Sequence, residues 1–371
     1  MTLKSRSRQV VPSAVVLCSA LFLAALNPSK AAGQALPGPG PLVIGGEEIA
    51  NAELWSQAQK EGGLVSYSVW VADPQKAVVE EFKKQTGLNI QLVMNPNASA
   101  MYQRVVSEEG AGKVGGSVLL LTDLNLTQAL ADAGILVKHD VPSLKVLSKD
   151  ANKGNYYSVL RTPYVIAYNT RLVKAADAPK SWKDLLDPKW KNQIGLVHSS
   201  AGGSTIARDT WLRRNYGVEY MQKLAANTPK ITNGAGQTVE EMARGQYAVS
   251  MNLPGVVGVA KESGAPVDFV FPEDGGIGFE AFIGLIKNAP HPAAGRVFLN
   301  WNLSKAGQDA WARAAGTYGV RDDAIAPLVA GKALPPLSAV KINLPDPADI
   351  KNKDLQKTWQ TEWNQIFGFV R

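Results

Sequence analysis

Cysteine is almost absent from this chain, and its scarcity excludes several kinds of chemistry. The one cysteine, Cys18, lies inside an N-terminal apolar run, so the rest of the chain has neither disulfides nor a thiol nucleophile. Histidine is also scarce. The chain has three, which lie far apart: His139, His198 and His291. They lack the spacing of metal ligands. A G-x-S-x-G nucleophile elbow is missing as well.

Phosphate-binding glycine loops are missing too, although one segment resembles them. The segment GAGKVG at 110–115 matches G-x-G-x-x-G, but it follows a predicted helix and precedes a predicted strand, the reverse of the order that dinucleotide binding requires. Lys113 is followed by Val114 where a P-loop has Ser or Thr. We therefore expect neither catalysis nor a cofactor.

Long apolar stretches are confined to the N-terminus. Lys4, Arg6 and Arg8 precede an apolar run from Ala14 to Leu26, and small residues follow it. About thirteen apolar residues are too few to span a bilayer, whereas this order is typical of a secretory signal peptide. The sequence predicts a signal over residues 1–35, export to the periplasm, and cleavage near Ala35.

Clusters of positive charge are also lacking once this segment is set aside. Residues 1–35 hold four of the 39 basic residues and none of the 32 acidic ones. The remaining chain therefore has 35 bases against 32 acids, and the net charge falls from +7 to about +3. Without a Lys/Arg-rich run, we expect no nucleic-acid partner.

Alternating strands and helices are what the chain does contain. Strands are predicted at 64–69, 89–94 and 117–122, separated by helices, the first of them capped by Asp73. This order implies a parallel α/β sheet whose ligand crevice lies beyond the carboxyl ends of the strands.

A second α/β unit follows the first. Strands are predicted at 164–169, 193–199 and 247–252, and helices at about 203–215, 217–226 and 237–245. Two such units in one exported chain indicate two lobes with a cleft between them, which is where ligands tend to bind.

Several segments, in this order, resemble the solute-binding proteins of ABC importers, and most of all the branch that binds ferric iron, phosphonates and sugar phosphates. These segments are EGGLVSYS, FKKQTGLNIQLV, SAGGST, GQYAVSMN, GAPVDFVFPEDGG, VFLNWNLSKAGQDAW and GTYGVRDDA. The resemblance implies a type II periplasmic binding fold, a monomer that closes on a small solute, and docking on a membrane permease with its ATPase.

The resemblance also implies how the chain is divided between lobes. We expect the first part of lobe I at 43–163, the main part of lobe II at 164–277, and a return to lobe I with C-terminal helices completing both lobes at 278–371. Crossovers between the lobes are expected near 161–169 and 278–286.

Ferric iron is the alternative ligand. Iron-binding relatives resemble one another in placing two adjacent tyrosines after the strand that corresponds to YAVSMN, where this chain has Asn252, Leu253 and Pro254. Asn offers only a weak neutral donor, and Leu and Pro offer none. The adjacent pair Tyr156 and Tyr157 lies elsewhere in the sequence.

A Ser/Gly/Thr turn before the predicted helix at 203 is the leading candidate for binding an oxyanion, because free N–H groups at a helix start attract negative charge. In the phosphonate and sugar-phosphate branch, the resemblance implies that this turn grips the solute. The candidate ligand-binding residues of both lobes are Trp70, Asn97, Ser99, Thr122, Ser200, Gly203, Ser204, Thr205, Asn252 and Tyr318.

Each candidate also has a purely structural interpretation. Ser204 or Thr205 is a suitable helix cap, and Asn97 is another. Trp70 and Tyr318 are large aromatic residues of the kind that packs in cores. The sequence leaves these alternatives open.

Overall fold

The computed structural model describes residues 37–95 and 97–369. The predicted signal peptide and Cys18 lie outside the described residues, so both remain predictions. Within the described part of the chain, no helix combines the length and the apolar character needed to cross a membrane.

Helices and strands alternate along most of the chain. The helices are α1 (Ala52–Glu61), α2 (Ala72–Thr86), α3 (Ala98–Gly110), α4 (Leu124–Asp132), α5 (Gly203–Ala226), α6 (Ala235–Ala243), α7 (Pro254–Glu262), α8 (Pro292–Leu303), α9 (Lys305–Ala315), α10 (Pro347–Lys351) and α11 (Lys353–Phe367). The strands are β1 (Leu42–Ile44), β2 (Glu47–Ala50), β3 (Gly63–Ser68), β4 (Asn89–Met94), β5 (Val118–Leu121), β6 (Leu136–Val137), β7 (Tyr157–Pro163), β8 (Val165–Asn169), β9 (Ile194–Val197), β10 (Lys230–Thr232), β11 (Val249–Asn252), β12 (Val267–Val270), β13 (Gly276–Ile286), β14 (Leu328–Val329), β15 (Lys332–Ala333) and β16 (Ile342–Asn343).

A seven-stranded sheet forms the first lobe. Its order is β16-β13-β5-β3-β4, and β6 and β7 also pair with β13. Strand β3 is parallel to both β4 and β5, which confirms the parallel arrangement predicted from the alternating pattern. The carboxyl ends of these three strands therefore open on one edge, and the loops that follow them face the second lobe.

A five-stranded sheet forms the second lobe, in the order β10-β9-β11-β8-β12. Strand β9 is parallel to β10 and β11, whereas β8 runs antiparallel to β11 and β12. Each lobe has its own apolar core, with Phe82 and Trp301 in the first and Trp182 and Tyr247 in the second. The side chain of Trp70 packs beside both apolar clusters, and Phe279 of β13 belongs to the second of them.

The chain passes between the sheets three times. It leaves the first sheet at Tyr164, between β7 and β8, and returns through 271–275, just before the predicted 278–286 segment. After β16 it crosses again to α10, which contacts α4 of the first lobe and α5 of the second, and α11 then packs on α5.

Two details of the helices bear on the sequence predictions. Helix α5 is interrupted at Gly217, whose φ of 78° is not helical, so the prediction of two helices meeting there is confirmed. The predicted cap at Asp73 is wrong. Helix α2 already begins at Ala72, because Val71 is the cap residue, with extended backbone and no side-chain cap. Asp73 therefore lies in the first turn, where it pairs with Lys76 at 3.1 Å.

Candidate functional site

The turn before α5 holds itself together through Thr205. The Thr205 hydroxyl lies 2.7 Å from the carbonyl oxygen of Ser199 and accepts the N–H of Gly202 at 3.2 Å. The neighbouring Ser200 hydroxyl lies 3.1 Å from His198 Nδ1. Thr205 thus serves as an internal cap, and its buried hydroxyl is already committed to backbone groups.

The first turn of α5 presents backbone N–H groups that the helix itself cannot satisfy. The amides of Gly203, Ser204 and Thr205 precede the first helical bond, which the Ile206 N–H makes to the carbonyl of Gly202. They carry the positive end of the helix dipole. This end of α5 is therefore a suitable position for an anion or a carbonyl oxygen.

The two lobes come into backbone contact at this same turn. A β-carbon placed on Gly203 would lie 2.1 Å from the carbonyl oxygen of Thr122 and 2.9 Å from the Cα of Asp123. Thr122 and Asp123 follow β5 of the first lobe, whereas Gly203 begins a helix of the second. Only a residue without a side chain allows the loops to approach so closely.

A groove of about 640 Å³ opens beside this contact, and we call it the acidic groove. Both lobes and the third crossing line it. Its lining residues are Thr122, Asp123, Leu124, Asn125, Asp150, Lys153, Gly203, Ile206, Ala207, Trp211, Arg214, Asn215, Phe279, Glu280, Phe282, Leu344, Pro345, Asp346, Pro347 and Ile350. Its volume falls in the range of small-molecule sites.

Carboxylates outnumber cations in the acidic groove, and both of its cations are already paired. Lys153 lies 3.7 Å from Glu280, and Arg214 binds Asp349 through a 2.7 Å hydrogen bond. Asp346 caps α10 by accepting the Ala348 N–H. A negatively charged ligand in this groove would therefore rely on the backbone N–H groups of α5 for its positive partner.

Asp123 is the carboxylate nearest the start of α5. It caps α4, accepting the N–H of Leu126 at 3.0 Å. Loss of solvent around the carboxyl raises its pKa, and the hydrogen bonds from the Leu126 and Asn125 amides partly oppose that shift. A positive group of a ligand would favour the ionised form.

A second groove, of about 590 Å³, also lies between the lobes, and we call it the apolar groove. It is lined by Trp70, Val71, Asp73, Pro74, Thr162, Gly236, Val239, Glu240, Ala243, Arg244, Leu253, Gly255, Val256, Val259, Ala260, Ser263, Ala265, Pro266, Ala315 and Thr317. The Trp70 ring lies 6.2 Å from that of Phe279 and 5.8 Å from that of Trp311. Because Phe279 lines the acidic groove, the Trp70 and Phe279 rings stand between the two grooves.

The sequence profile of the bacterial extracellular solute-binding proteins matches residues 77–336, which is more than half of the chain. The chain belongs to this family.

Individual relatives agree with this assignment. The chain is 24% identical over 329 residues to a spermidine/putrescine-binding periplasmic protein of Haemophilus influenzae, covering 82% of this chain and 85% of that protein. It is 27% identical over 245 residues to a Salmonella typhimurium periplasmic protein named for binding 2-aminoethylphosphonate, covering 62% and 68%. This solute-binding protein is thus a periplasmic component of an ABC transporter and not an enzyme.

The fold is confirmed independently. The structure of the periplasmic binding protein AfuA from Actinobacillus pleuropneumoniae, with fructose-6-phosphate bound, aligns with a TM-score of 0.68 at 20% identity. The alignment covers 83% of this chain and 99% of that one. The solute-binding protein therefore has the type II periplasmic binding fold expected from its sequence.

Three of the residues predicted to bind ligand line a groove. Thr122 and Gly203 meet in the acidic groove, and Trp70 lies in the apolar groove. Ser200, Ser204 and Thr205 adjoin Gly203 along the chain without lining either groove. Their part in binding remains a prediction.

Of the other predicted residues, Asn97, Asn252 and Tyr318 have structural partners. Asn97 caps α3 by accepting the Ala100 N–H at 2.9 Å, and the exposed Ser99 follows in the same turn. Asn252 is buried between the Ala235 carbonyl and the Leu253 N–H. The buried Tyr318 donates to the Pro335 carbonyl at 2.9 Å, and burial raises the pKa of its phenol. In this arrangement none of the four lines either groove.

The tyrosine pair considered for iron lines neither groove. Tyr156 donates to Gln128 and Tyr157 to the His139 carbonyl, and both are buried in the first lobe. Burial raises the pKa of both phenols. Neither groove has a tyrosine in its lining.

Sequence reasoning missed several of the residues that give the acidic groove its carboxylates and aromatic rings. Phe279 and Glu280 lie on β13, and Asp346 directly precedes α10. All three are far in sequence from the strand ends at which the sequence predicted ligand-binding residues. Asp123 did carry a signal, because it directly follows a predicted strand beside Thr122.

Proposed function

We propose that this protein captures a small solute that carries a phosphonate or phosphate-ester group together with an amine, and delivers it to a membrane permease. The observation that carries the proposal is the contact between Gly203 and Thr122–Asp123. A solute at this contact touches the start of α5 in one lobe and the loop after β5 in the other, so its binding favours closure of the lobes.

The oxyanion is assigned to the start of α5. The free amides of Gly203 and Ser204 offer hydrogen bonds, and the helix dipole adds about 0.3–1 kcal/mol per charge, or about 2 kcal/mol when partly buried. Micromolar binding requires about 8 kcal/mol. The helix start therefore cannot provide the whole affinity, and groups of the first lobe have to contribute.

The amine is assigned to the acidic groove. Asp123 and Asp346 accept only backbone N–H groups there among the described hydrogen bonds, and the rings of Trp211, Phe279 and Phe282 line the same space. Carboxylates and aromatic faces both attract ammonium groups. The relative named for 2-aminoethylphosphonate is named for a solute with both groups.

A polyamine is the second candidate. Asp150 and Glu280 of the acidic groove are paired with Arg161, but Asp123 and Asp346 have no ion pair in the described part of the chain, and these two carboxylates favour a polyamine. The relative named for spermidine and putrescine covers more of the chain than the phosphonate relative does.

Ferric iron, the alternative raised by the sequence, has less support. Tyr156 and Tyr157 are hydrogen-bonded inside the first lobe, and no tyrosine lines either groove.

Isothermal titration of the purified protein separates these candidates. The titrants are 2-aminoethylphosphonate, ethylphosphonate, putrescine and ferric citrate. We expect 2-aminoethylphosphonate to bind at about micromolar affinity or better, and ethylphosphonate, which lacks the amine, to bind about tenfold more weakly or worse. If putrescine binds most tightly, the solute is a polyamine. If ferric citrate gives a coloured, stoichiometric complex, the solute is iron.

A further inference from the structure

The last described residue of the chain, Phe369, lies against the segment that leads into α5. Its half-buried ring stacks on the imidazole of His198, with 4.9 Å between the ring centroids and 13° between the planes. The same ring packs at 76° to that of the buried Trp363, at 6.0 Å. His198 directly follows β9 and precedes the turn before α5, residues 199–202. The end of the described chain thus contacts the segment to which the oxyanion is assigned.

The position of Phe369 follows from the glycine before it. Helix α11 ends at Gly368, whose φ of 63° is left-handed. The N–H groups of Gly368 and Phe369 both bond to the carbonyl of Asn364, an arrangement in which a left-handed glycine ends a helix. The chain is therefore redirected at the end of α11, and the Phe369 ring reaches His198.

His198 is bonded to the turn on several sides. Its N–H donates to the carbonyl of Thr232 in β10 at 3.1 Å, and its own carbonyl accepts the N–H of Ala201 at 3.1 Å. Its Nδ1 lies 3.1 Å from the Ser200 hydroxyl. One edge of the imidazole is thus linked to the turn, while Phe369 stacks on its face. The position of the imidazole and the shape of the turn are therefore coupled.

The turn is incompletely packed on the side of α11. A cavity of about 240 Å³ lies between α5 and α11, and Ser199, Trp363 and Ile366 are among its lining residues. Atoms that line a cavity lack the van der Waals contacts that a packed side chain provides. The contact between Phe369 and His198 therefore carries a larger share of the support that α11 gives to the turn.

We propose that Phe369 is a positioning residue for solute binding. Its ring fixes the imidazole of His198 and, through it, the turn that presents the free amides of Gly203 and Ser204. The part that concerns the solute rests on the assignment of the oxyanion to α5. Loss of one aromatic pair changes an equilibrium about two- to tenfold, so the expected effect is a looser turn in a lobe that remains folded.

Hydrogen exchange followed by mass spectrometry tests this positioning without any solute. Ala201, Gly202 and Ile206 use their N–H groups in the turn and in the first helical bond, so their exchange reports how often this segment opens. Phe369→Leu keeps an apolar side chain and removes the ring. We expect it to exchange about two- to tenfold faster over residues 199–206. Phe369→Tyr, which keeps the ring, should exchange at the natural rate.

Phe367→Leu is the matched control. Phe367 stacks on Trp363 at 4.5 Å, whereas the ring that stacks on His198 belongs to Phe369. The control therefore removes an aromatic ring from the same end of α11 and should leave exchange over residues 199–206 unchanged. Equal acceleration in both leucine variants would indicate a general loosening of α11, and no acceleration in Phe369→Leu would indicate no coupling. Either result would overturn the proposal.

Isothermal titration with 2-aminoethylphosphonate extends the test to the solute. Phe369→Leu should bind about two- to tenfold more weakly, and Phe369→Tyr and Phe367→Leu should bind as the natural protein does. Natural affinity in Phe369→Leu despite faster exchange would remove Phe369 from solute binding and overturn the proposal. If the natural protein itself does not bind 2-aminoethylphosphonate, the proposed function fails, while the exchange experiment still decides whether Phe369 positions the turn.

Discussion

Gly203 is the residue at which the two lobes touch through their backbones. A methyl group there would lie 2.1 Å from the Thr122 carbonyl oxygen, a distance that requires the lobes to separate. We expect Gly203→Ala to weaken binding of 2-aminoethylphosphonate about tenfold or more. The added methyl group would hold the lobes apart, and the solute would then contact only one of them. Isothermal titration measures the effect.

The adjacent glycine supplies the control. Gly202 has an extended backbone that any residue adopts, and a β-carbon there meets nothing within 4 Å. Gly202→Ala should therefore bind normally. If both variants bind normally, the Gly203 contact has no part in capturing the solute.

Asp123 gives the proposed site a dependence on pH. Burial raises the pKa of its carboxyl, so it becomes neutral at a higher pH than an ordinary aspartate, and its attraction for an ammonium group is lost as the pH falls through that raised value. We expect the preference for 2-aminoethylphosphonate over ethylphosphonate to decline below neutral pH towards 4. The two phosphonates titrate over different pH ranges, because the ammonium group lowers the phosphonate pKa of 2-aminoethylphosphonate, so the contribution of Asp123 is taken as the difference between the natural protein and a variant without this carboxylate, measured at the same pH.

Asp123→Asn is the matched variant, because asparagine caps helices as well as aspartate does. It should retain the fold and lose the preference for the amine at every pH. A variant that still prefers 2-aminoethylphosphonate, with an unchanged pH profile, would remove Asp123 from the site.

At the scale of elements, α5 is held at its start by Thr205 rather than by a residue before it. Its hydroxyl joins Ser199 to Gly202, so removing it should loosen the turn that presents the free amides. We expect Thr205→Val to lower the free energy of unfolding by about 1 kcal/mol, the usual worth of a cap. Urea denaturation gives the value.

Ser99 is the control for that measurement. It is an exposed residue in the first turn of α3, where Asn97 and not Ser99 provides the cap hydrogen bond, so Ser99→Ala should cost less stability. Should the two variants unfold at the same urea concentration, Thr205 would not be the cap that the hydrogen bonds indicate.

At the scale of the whole molecule, three crossings join lobes that pack around separate cores. This construction lets the lobes rotate as rigid bodies, a motion known among periplasmic binding proteins. We expect the radius of gyration, measured by small-angle scattering, to shrink when 2-aminoethylphosphonate saturates the protein. Gly203→Ala should stay expanded under the same conditions.

Trp70 provides an independent readout of the same motion, since it lines the apolar groove between the lobes. Its fluorescence should change on binding. An unchanged radius and unchanged fluorescence at saturation would mean that the lobes do not move, and delivery by closure would lose its mechanism.

The sequence by itself determined the local features of this protein. Alternating apolar segments predicted the parallel β3, β4 and β5, and Gly217 separated the two halves of α5. Such features depend on neighbours a few residues away, so periodicity and glycine positions are enough to predict them. The family followed from the order of these segments.

Only the tertiary structure decided which polar groups are left to bind a ligand. Asn252 and Tyr318 have the right chemistry, but folding gives their polar groups partners within the protein. The same folding brings Glu280 and Asp123 into one groove and leaves the Thr162 hydroxyl without a hydrogen-bond partner among the described residues. These outcomes depend on contacts between residues far apart in sequence, set by the packing of the two lobes. No local pattern records whether a hydroxyl or an amide will find its hydrogen-bond partner inside the protein.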